Sequence, residues 1–406
     1  MRYPEKQTPL LFFLLGTLLT GPLYAMEVDY EKPRQFSSET LLGKATSGPN
    51  YTVNPTVQND GRINHFVIDS PFGSTTASGN AHALERGREM EAIAQIRRIK
   101  KTDAFVEALG KAAVSPLNAS EQIITQPVQT LKDLPGGVTQ LFKNLFTSLS
   151  SMGKSKSKEE NETLKELMGY QKAKRQLAAK LGVDPYSSNP LLQKELKSVT
   201  WATFAGGSAV DAALLIAPTG VAGLAVTAVQ QTAGVTSLVR ENSPTTLLTI
   251  NTEKMQKMQI PKEDIEGFNF HPHCTPFHQT YLVDALLSLK ESAGREHYIR
   301  LASSAHDETA CRDYMEMAGS IQLYRSKIAP VLQFFPHTET VVFEDMNGQM
   351  VIPIYADYLL WTPETEEIIK SFPTRSEKRV VWIKGEYSDR VEAELKRRGI
   401  SIVLAH

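Results

Sequence analysis

Apolar positions change period several times along the chain, and each change predicts a different kind of element. Between Tyr51 and Gly79, strand formers dominate: Val53, Val57, Ile63, Phe66 and Ile68 flank "NDG" at 59–61, a hairpin-turn signal. Asn80 then caps a helix through about Lys101, and Thr102 a second through about Val114. Residues 51–115 therefore read as a few strands followed by a helix pair.

From 116 to 151 the pattern breaks into short amphipathic pieces at Pro127, Pro135 and Gly136-Gly137. Val138, Leu141, Phe142, Leu145 and Phe146 fall at helical spacing and form one apolar stripe. Such a stripe docks on the protein's own core or, as the alternative, on a lipid surface. A charged, Ser-rich run at 153–162 predicts an exposed linker. A helix from about 162 ends at Gly182, and Asn189-Pro190 starts another.

Ser198 to Val239 is built mostly of Ala, Gly, Val and Thr, with Asp211 its only formal charge. The run is long enough to cross a bilayer, but Ala and Gly contribute little insertion free energy, so a buried helical hairpin is expected.

Residues 251–330 show helical periodicity with short breaks, which predicts a compact antiparallel array. After 338 the character changes again. "TVVFEDMNGQMVIPIYA" reads as a hairpin around Asn347-Gly348, with Pro353 indicating an edge position. "RVVWIK", "SDRVEAELKRRG" and "ISIVLAH" follow as strand, capped helix and strand, a unit that implies a right-handed parallel crossover.

The expected fold is α+β and predominantly helical: a central antiparallel helical array with small β-containing units near both ends. Its expected divisions are a signal peptide at 1–25, a lead-in and small α+β unit at 26–115, and an amphipathic, Ala/Gly-rich helical region at 116–240. The helical array follows at 241–335, and a hairpin with a strand–helix–strand unit closes the chain at 336–406.

The N-terminus carries the layout of a targeting segment. Arg2 and Lys6 precede the uncharged run "PLLFFLLGTLLTG", and "PLYA" ends on the small residue Ala25, which is the layout of a secretory signal. The expected location is periplasmic or secreted, after cleavage near Ala25. In an oxidising compartment the two cysteines, Cys274 and Cys311, become candidates for a disulfide. Cys274 precedes the first helix of the expected array and Cys311 lies one turn into the third, at the same end of the array.

Composition adds an exclusion. With a formal net charge of -1, the 406-residue chain lacks the basic surface that nucleic acid requires, so no nucleic-acid partner is expected. "RRIKK" at 97–101 ends a helix that carries Glu85, Glu89 and Glu91 earlier, an order that suits the helix dipole and reads as a solvated face.

No P-loop, HExxH, CxxC pair or GxGxxG after a strand is present. "GGSAV" at 206–210 is not a nucleophile elbow. The candidate chemistry lies in "HPHCTPFH", where His271, His273 and His278 stand beside Cys274. An extended chain points His271 and His273 to one side, and Cys274 or His278 could complete a zinc-like site. The same letters also describe a helix start, with Thr275 as cap, Pro276 at the first helical position and His278 on the apolar arc. On this reading there is no cofactor, a zinc-like metal being the alternative.

These observations favour a non-enzymatic envelope or interaction protein whose partner is an unknown envelope protein or a lipid surface. The alternatives are a metal- or His-dependent hydrolase using 271–278 and a membrane-inserting or lipid-binding protein using 116–239.

Overall fold

The loose alternation after Tyr51 builds an antiparallel sheet. The computed structural model describes residues 30–113, 158–206, 232–336, 340–373 and 378–405. Contacts divide the chain after Tyr30, and the fold below is that of the body from Glu31 onward. Strands β1 (Gln35–Ser37), β2 (Ser47–Gly48), β3 (Tyr51–Val53), β4 (Thr56–Asn59), β5 (Asn64–Asp69) and β6 (Thr75–Ser78) form the first sheet, with α1 (Ser38–Leu42) between β1 and β2. Its strands run β1-β4-β5-β3-β2, and β6 pairs with β5. In β5 the buried residues alternate strictly, so that Phe66 and Ile68 face inward and His65 and Val67 face out.

The inward face is covered by α2 (Asn80–Ile99) and, beyond α3 (Asp103–Ala113) and α4 (Lys158–Leu181), by α5 (Pro190–Gly206). Val57, Phe66 and Ile68 of the sheet, Met90, Ile93 and Ile96 of α2, and Leu192, Leu196 and Val199 of α5 belong to one core. Each fully buried side chain of this kind contributes roughly 1.5–3 kcal/mol.

The second sheet orders as β11-β10-β9-β8-β7, from β7 (Val331–Phe334), β8 (Phe343–Asp345), β9 (Met350–Leu359), β10 (Arg379–Tyr387) and β11 (Ile400–Leu404). β9, β10 and β11 are parallel, joined through α12 (Pro363–Lys370) and α13 (Asp389–Arg397), whereas β8 is antiparallel to both its neighbours. β9 is buried along most of its length, as expected for a strand covered on both faces. It is an internal strand despite Pro353. β8 pairs only with Met350 and Val351, so on that side the ladder has ended before the proline.

Between the sheets in sequence come α6 (Thr232–Glu241), α7 (Pro244–Lys257), α8 (Lys262–Asn269), α9 (Pro276–Ser288), α10 (Arg295–Ala302) and α11 (Glu308–Lys327). Their apolar faces are continuous with the second sheet. Phe268, Leu286, Ile299 and Ile321 share one core with Phe343, Val351 and Trp382. Trp382 Nε1 donates to Ser320 Oγ at 2.6 Å and to the Ser320 carbonyl at 3.1 Å, fixing α11 to β10.

The expected predominantly helical α+β fold with a central antiparallel array is therefore corrected to a mixed α/β fold with two sheets. The helices do pack on one another, but their apolar core runs on into the strands, so they form layers on sheets rather than a free-standing central bundle.

Polar groups tie the two sheets together. Asp357, near the end of β9, accepts from Asn64 N at 2.9 Å and Asn80 N at 3.0 Å. Glu31 closes the other side: its N–H donates to the Trp361 carbonyl at 2.8 Å, and its carboxylate accepts from Trp361 N at 2.7 Å and Ser388 Oγ at 2.5 Å.

Among the described residues no helix is long and apolar enough to cross a membrane. The expected signal peptide at 1–25, the stripe at 138–146 and most of the Ala/Gly-rich run (207–231) lie outside the described residues.

Candidate functional site: a charged crevice beside helix α2

Helix α2 buries a face that carries charge. Arg86, Glu89, Ile93 and Ile96 fall at i, i+3, i+7 and i+10, so two charges continue an apolar stripe into the interior. Burying them is tolerable because both are paired. Arg86 Nη1 donates to Glu89 Oε2 at 2.8 Å and to Ser187 Oγ at 3.0 Å. Glu89 also accepts from Asn189 Nδ2 at 2.8 Å and from the Ser187 hydroxyl. Burial, opposed by Arg86 and reinforced by Glu85, pushes the Glu89 carboxyl above its ordinary pKa.

On the neighbouring face of α2, Glu85 meets α11. Arg312 Nη2 lies 3.1 Å from Glu85 Oε2 and 3.9 Å from Glu308 Oε1. One helical turn further along α11, Glu316 Oε2 accepts from Lys384 Nζ of β10 at 2.6 Å. Burial works against the Arg312 charge, but the Glu85, Glu308 and Glu316 carboxylates outweigh it and hold the guanidinium protonated.

These groups border a cavity of about 590 Å³ that Glu85, Arg88, Asp184, Arg312, Glu316 and Lys384 line together. Its size lies within the range of small-molecule sites. Two of the lining side chains carry a donor without an acceptor: Arg88 Nε and Arg312 Nε are buried without a hydrogen-bond partner. A buried N–H left unpaired costs about 1–3 kcal/mol, so these two groups are natural points of attachment for an oxygen-bearing ligand.

Asp184 enters from the turn after α4. Its Oδ1 accepts from Tyr186 N at 2.9 Å. Burial, with Glu85 and Glu89 adding repulsion against the Tyr186 bond and Lys174, pushes its carboxyl up to about 7. Burial likewise lowers Lys174 to about 8. Asp184 is therefore an acid with a proton available near neutral pH, at the wall of a cavity.

A second cavity, of about 760 Å³, is lined by Asp60, Arg62, Asp313 and Thr362 among others. Its charges are already committed: Arg62 Nη2 donates to Asp313 Oδ2 at 2.5 Å and His65 Nε2 lies 2.8 Å from Asp60 Oδ2. The smaller crevice is the one with donors to spare.

The histidine cluster divides. Thr275 and His278 form a reciprocal cap for α9: Thr275 Oγ1 accepts from His278 N at 3.3 Å, and His278 Nδ1 accepts from Thr275 N at 3.3 Å. His278 is buried, and burial together with Arg312 and Arg86 keeps its imidazole neutral, well below its ordinary pKa. His82 of α2 is neutral for the same reasons. His271 and His273 lie outside this core, with ring centres 5.9 Å apart. Cys274 and Cys311 are bonded, with Cα atoms 5.4 Å apart. Among the described residues, the group close enough to share a metal is His271, Cys274 and Cys311.

The basic run at 97–101 is anchored rather than wholly solvated, because Arg97 Nε and Lys100 Nζ donate to Glu195 of α5 at 3.0 and 2.9 Å. Comparison of the chain with family models, with curated proteins and with solved structures finds no match.

Proposed function

We propose that the chain is an exported, non-enzymatic binding protein of the cell envelope that takes a small carboxylate-bearing molecule into the crevice beside α2. One observation carries the reading: Arg88 and Arg312, each with a buried Nε–H that has no hydrogen-bond partner, line the same cavity. A carboxylate placed between them would satisfy both with charge-assisted hydrogen bonds. The neighbouring Arg312–Glu85 and Lys384–Glu316 pairs leave the wall close to balanced, so recognition would depend on these donors rather than on bulk charge.

Export is supported by the n-region, apolar run and small-residue end at 1–25 and by the cysteine pair. Mass spectrometry of protein from its native host tests it, with a mature N-terminus at Met26 as the expected result.

Calorimetric titration with citrate, glutamate and inorganic phosphate tests the ligand class. At least one carboxylate is expected to bind, and Arg88→Lys or Arg312→Lys, which keep the charge and remove the Nε–H, to weaken it roughly tenfold. Silence with all three probes, or unchanged affinity in both variants, overturns the reading. Asp184 favours a second reading, a hydrolase with Asp184 as proton donor. Turnover of a bound carboxylate ester, lost in Asp184→Asn, would distinguish it from simple binding.

A further inference from the structure

His271 and Cys274 stand in the loop between α8 and α9, and the first turn of α11 brings Cys311 to them. His271 follows α8, Cys274 precedes the cap of α9, and Cys311 lies in the first turn of α11. A cystine that only staples α9 to α11 needs no imidazole beside it. Yet His271 Nδ1 faces Cys311 Sγ at 3.7 Å, and the ligand atoms of the three residues all lie within 4.8 Å of one another.

The distances suit a tetrahedral ion. Zinc bonds of about 2.3 Å to sulfur and about 2.0–2.1 Å to imidazole nitrogen place neighbouring S and N ligands about 3.6 Å apart, and two sulfurs about 3.8 Å apart. The His271–Cys311 pair is already at that spacing. Once the bond between the sulfurs is broken, side-chain rotation at a Cα–Cα separation of 5.4 Å can supply the rest. The backbone of Ser303 and Ala305, in the turn before α11, lies beside the His271 ring. A backbone carbonyl on the ring is the usual device by which a ligating histidine has its tautomer and orientation fixed. Among the described residues the Nδ1 atom accepts from one donor, His273 N at 3.3 Å, a long bond that a metal can displace.

We propose that His271, Cys274 and Cys311, with both cysteines reduced, form a binding site for one zinc-class divalent cation. A dithiol supplies two electrons and two protons to the cystine and leaves as its cyclic disulfide. Metal binding then releases both thiol protons to solvent, giving two thiolates and one neutral imidazole around the ion. The fourth position opens toward exposed His273 and is filled by water or by that ring. The same pair of sulfurs thus has two alternative closures, a covalent bond or a shared ion, and both pin α9 to α11.

The test uses the full mature chain, reduced with a dithiol under anaerobic conditions, separated from reductant and titrated with Co²⁺ as the spectroscopic probe. One equivalent is expected to bind with thiolate charge-transfer and tetrahedral ligand-field bands, which Zn²⁺ displaces. Unreduced protein should give none. His271→Ala keeps both thiols and should bind roughly tenfold or more weakly, while Cys311→Ser should lose the charge-transfer band. If reduction costs the apo chain its circular-dichroism signal, Zn²⁺ should restore it. A folded reduced protein without Co²⁺ bands, a reduced chain that Zn²⁺ does not restore, or equal binding by His271→Ala overturns the proposal. The carboxylate titrations above use unreduced protein, so the two proposals fail separately.

Discussion

Arg62 Nη2 and Asp313 Oδ2 meet at 2.5 Å, joining the turn that enters β5 to the helix lying on the second sheet. Arg62 also donates through Nη1 to the Tyr355 carbonyl at 3.2 Å. Burial raises the Asp313 carboxyl pKa, and Arg62 is what opposes that rise. Arg62→Ala would strand a buried carboxylate, and a loss of roughly 2–4 kcal/mol is expected in urea denaturation at neutral pH, the guanidinium's partial exposure keeping it below the fully buried case. Without the cation Asp313 takes a proton more readily, so the deficit should shrink at pH 5. A double-mutant cycle with Asp313→Asn checks that the loss belongs to the pair.

Asp184 gives the fold a pH dependence of known sign. Its folded pKa of about 7 lies above an unfolded value near 3.9, so the native state binds the extra proton. Its favourable contribution is complete below about pH 4 and is lost as pH rises through 7, by at most about 4 kcal/mol at 1.36 kcal/mol per unit. Asp184→Asn keeps an acceptor for Tyr186 N and removes the charge. Thermal unfolding across pH 4 to 8 should show the variant matching the parent in acid and exceeding it at pH 8. Asp357, pushed up to about 6 by burial, contributes a residual slope of the same sign that the variant retains.

The cysteine pair is expected to stabilise the fold by about 3–4 kcal/mol, the chain-entropy figure for a closed loop of about 36 residues. Guanidinium titrations in the presence of a chelator should place Cys274→Ser/Cys311→Ser below the oxidised parent by that amount. Adding reductant should bring the parent down to the double variant. A parent indifferent to reductant would mean that no bond forms.

Gly385 sits at φ +137° where the β9–β10 register shifts, and a Cβ there would overlap the Ala356 carbonyl oxygen. Gly385→Ala must move backbone in the middle of a parallel sheet. A loss of about 3 kcal/mol or more is expected in chemical denaturation, with Lys384 displaced from Glu316 as a local consequence.

Helix starts were the most legible feature of the sequence, because caps are local chemistry. Thr275 with Pro276, Asp307 before α11 and Ser388 before α13 each bond the backbone of their own first turn, whereas the expected cap Asn80 lies inside α2, whose cap position is Gly79 with no side-chain bond. The two-sheet fold was not legible. Periodicity in α9 or α11 reports that one face is buried, but not whether a helix or a strand covers it, and here other helices cover α9 while α11 also packs on β9 and β10. The crevice was hidden for a related reason. Arg312 and Glu316 read as the polar face of an ordinary helix, and Asp184 as a turn former in "VDPYSSNP". The available signal was the continuation of the Ile93–Ile96 stripe by Arg86 and Glu89, because charges on an apolar face imply partners supplied by another part of the chain.

The clasp of Glu31 on Trp361 and Ser388 also sets an order of events. The hydroxyl that completes it is 357 residues away in sequence, so it closes only after nearly all of the polypeptide has been synthesised. The entropy of closing so long a loop grows only slowly with length, but contacts at this separation form late and slow the search for the native state. Until Ser388 arrives, the Glu31 carboxylate lacks its hydroxyl partner and the second sheet lacks its last strand, the edge strand β11. If the chain is exported as proposed above, this clasp can close only once its C-terminal part has also crossed the membrane.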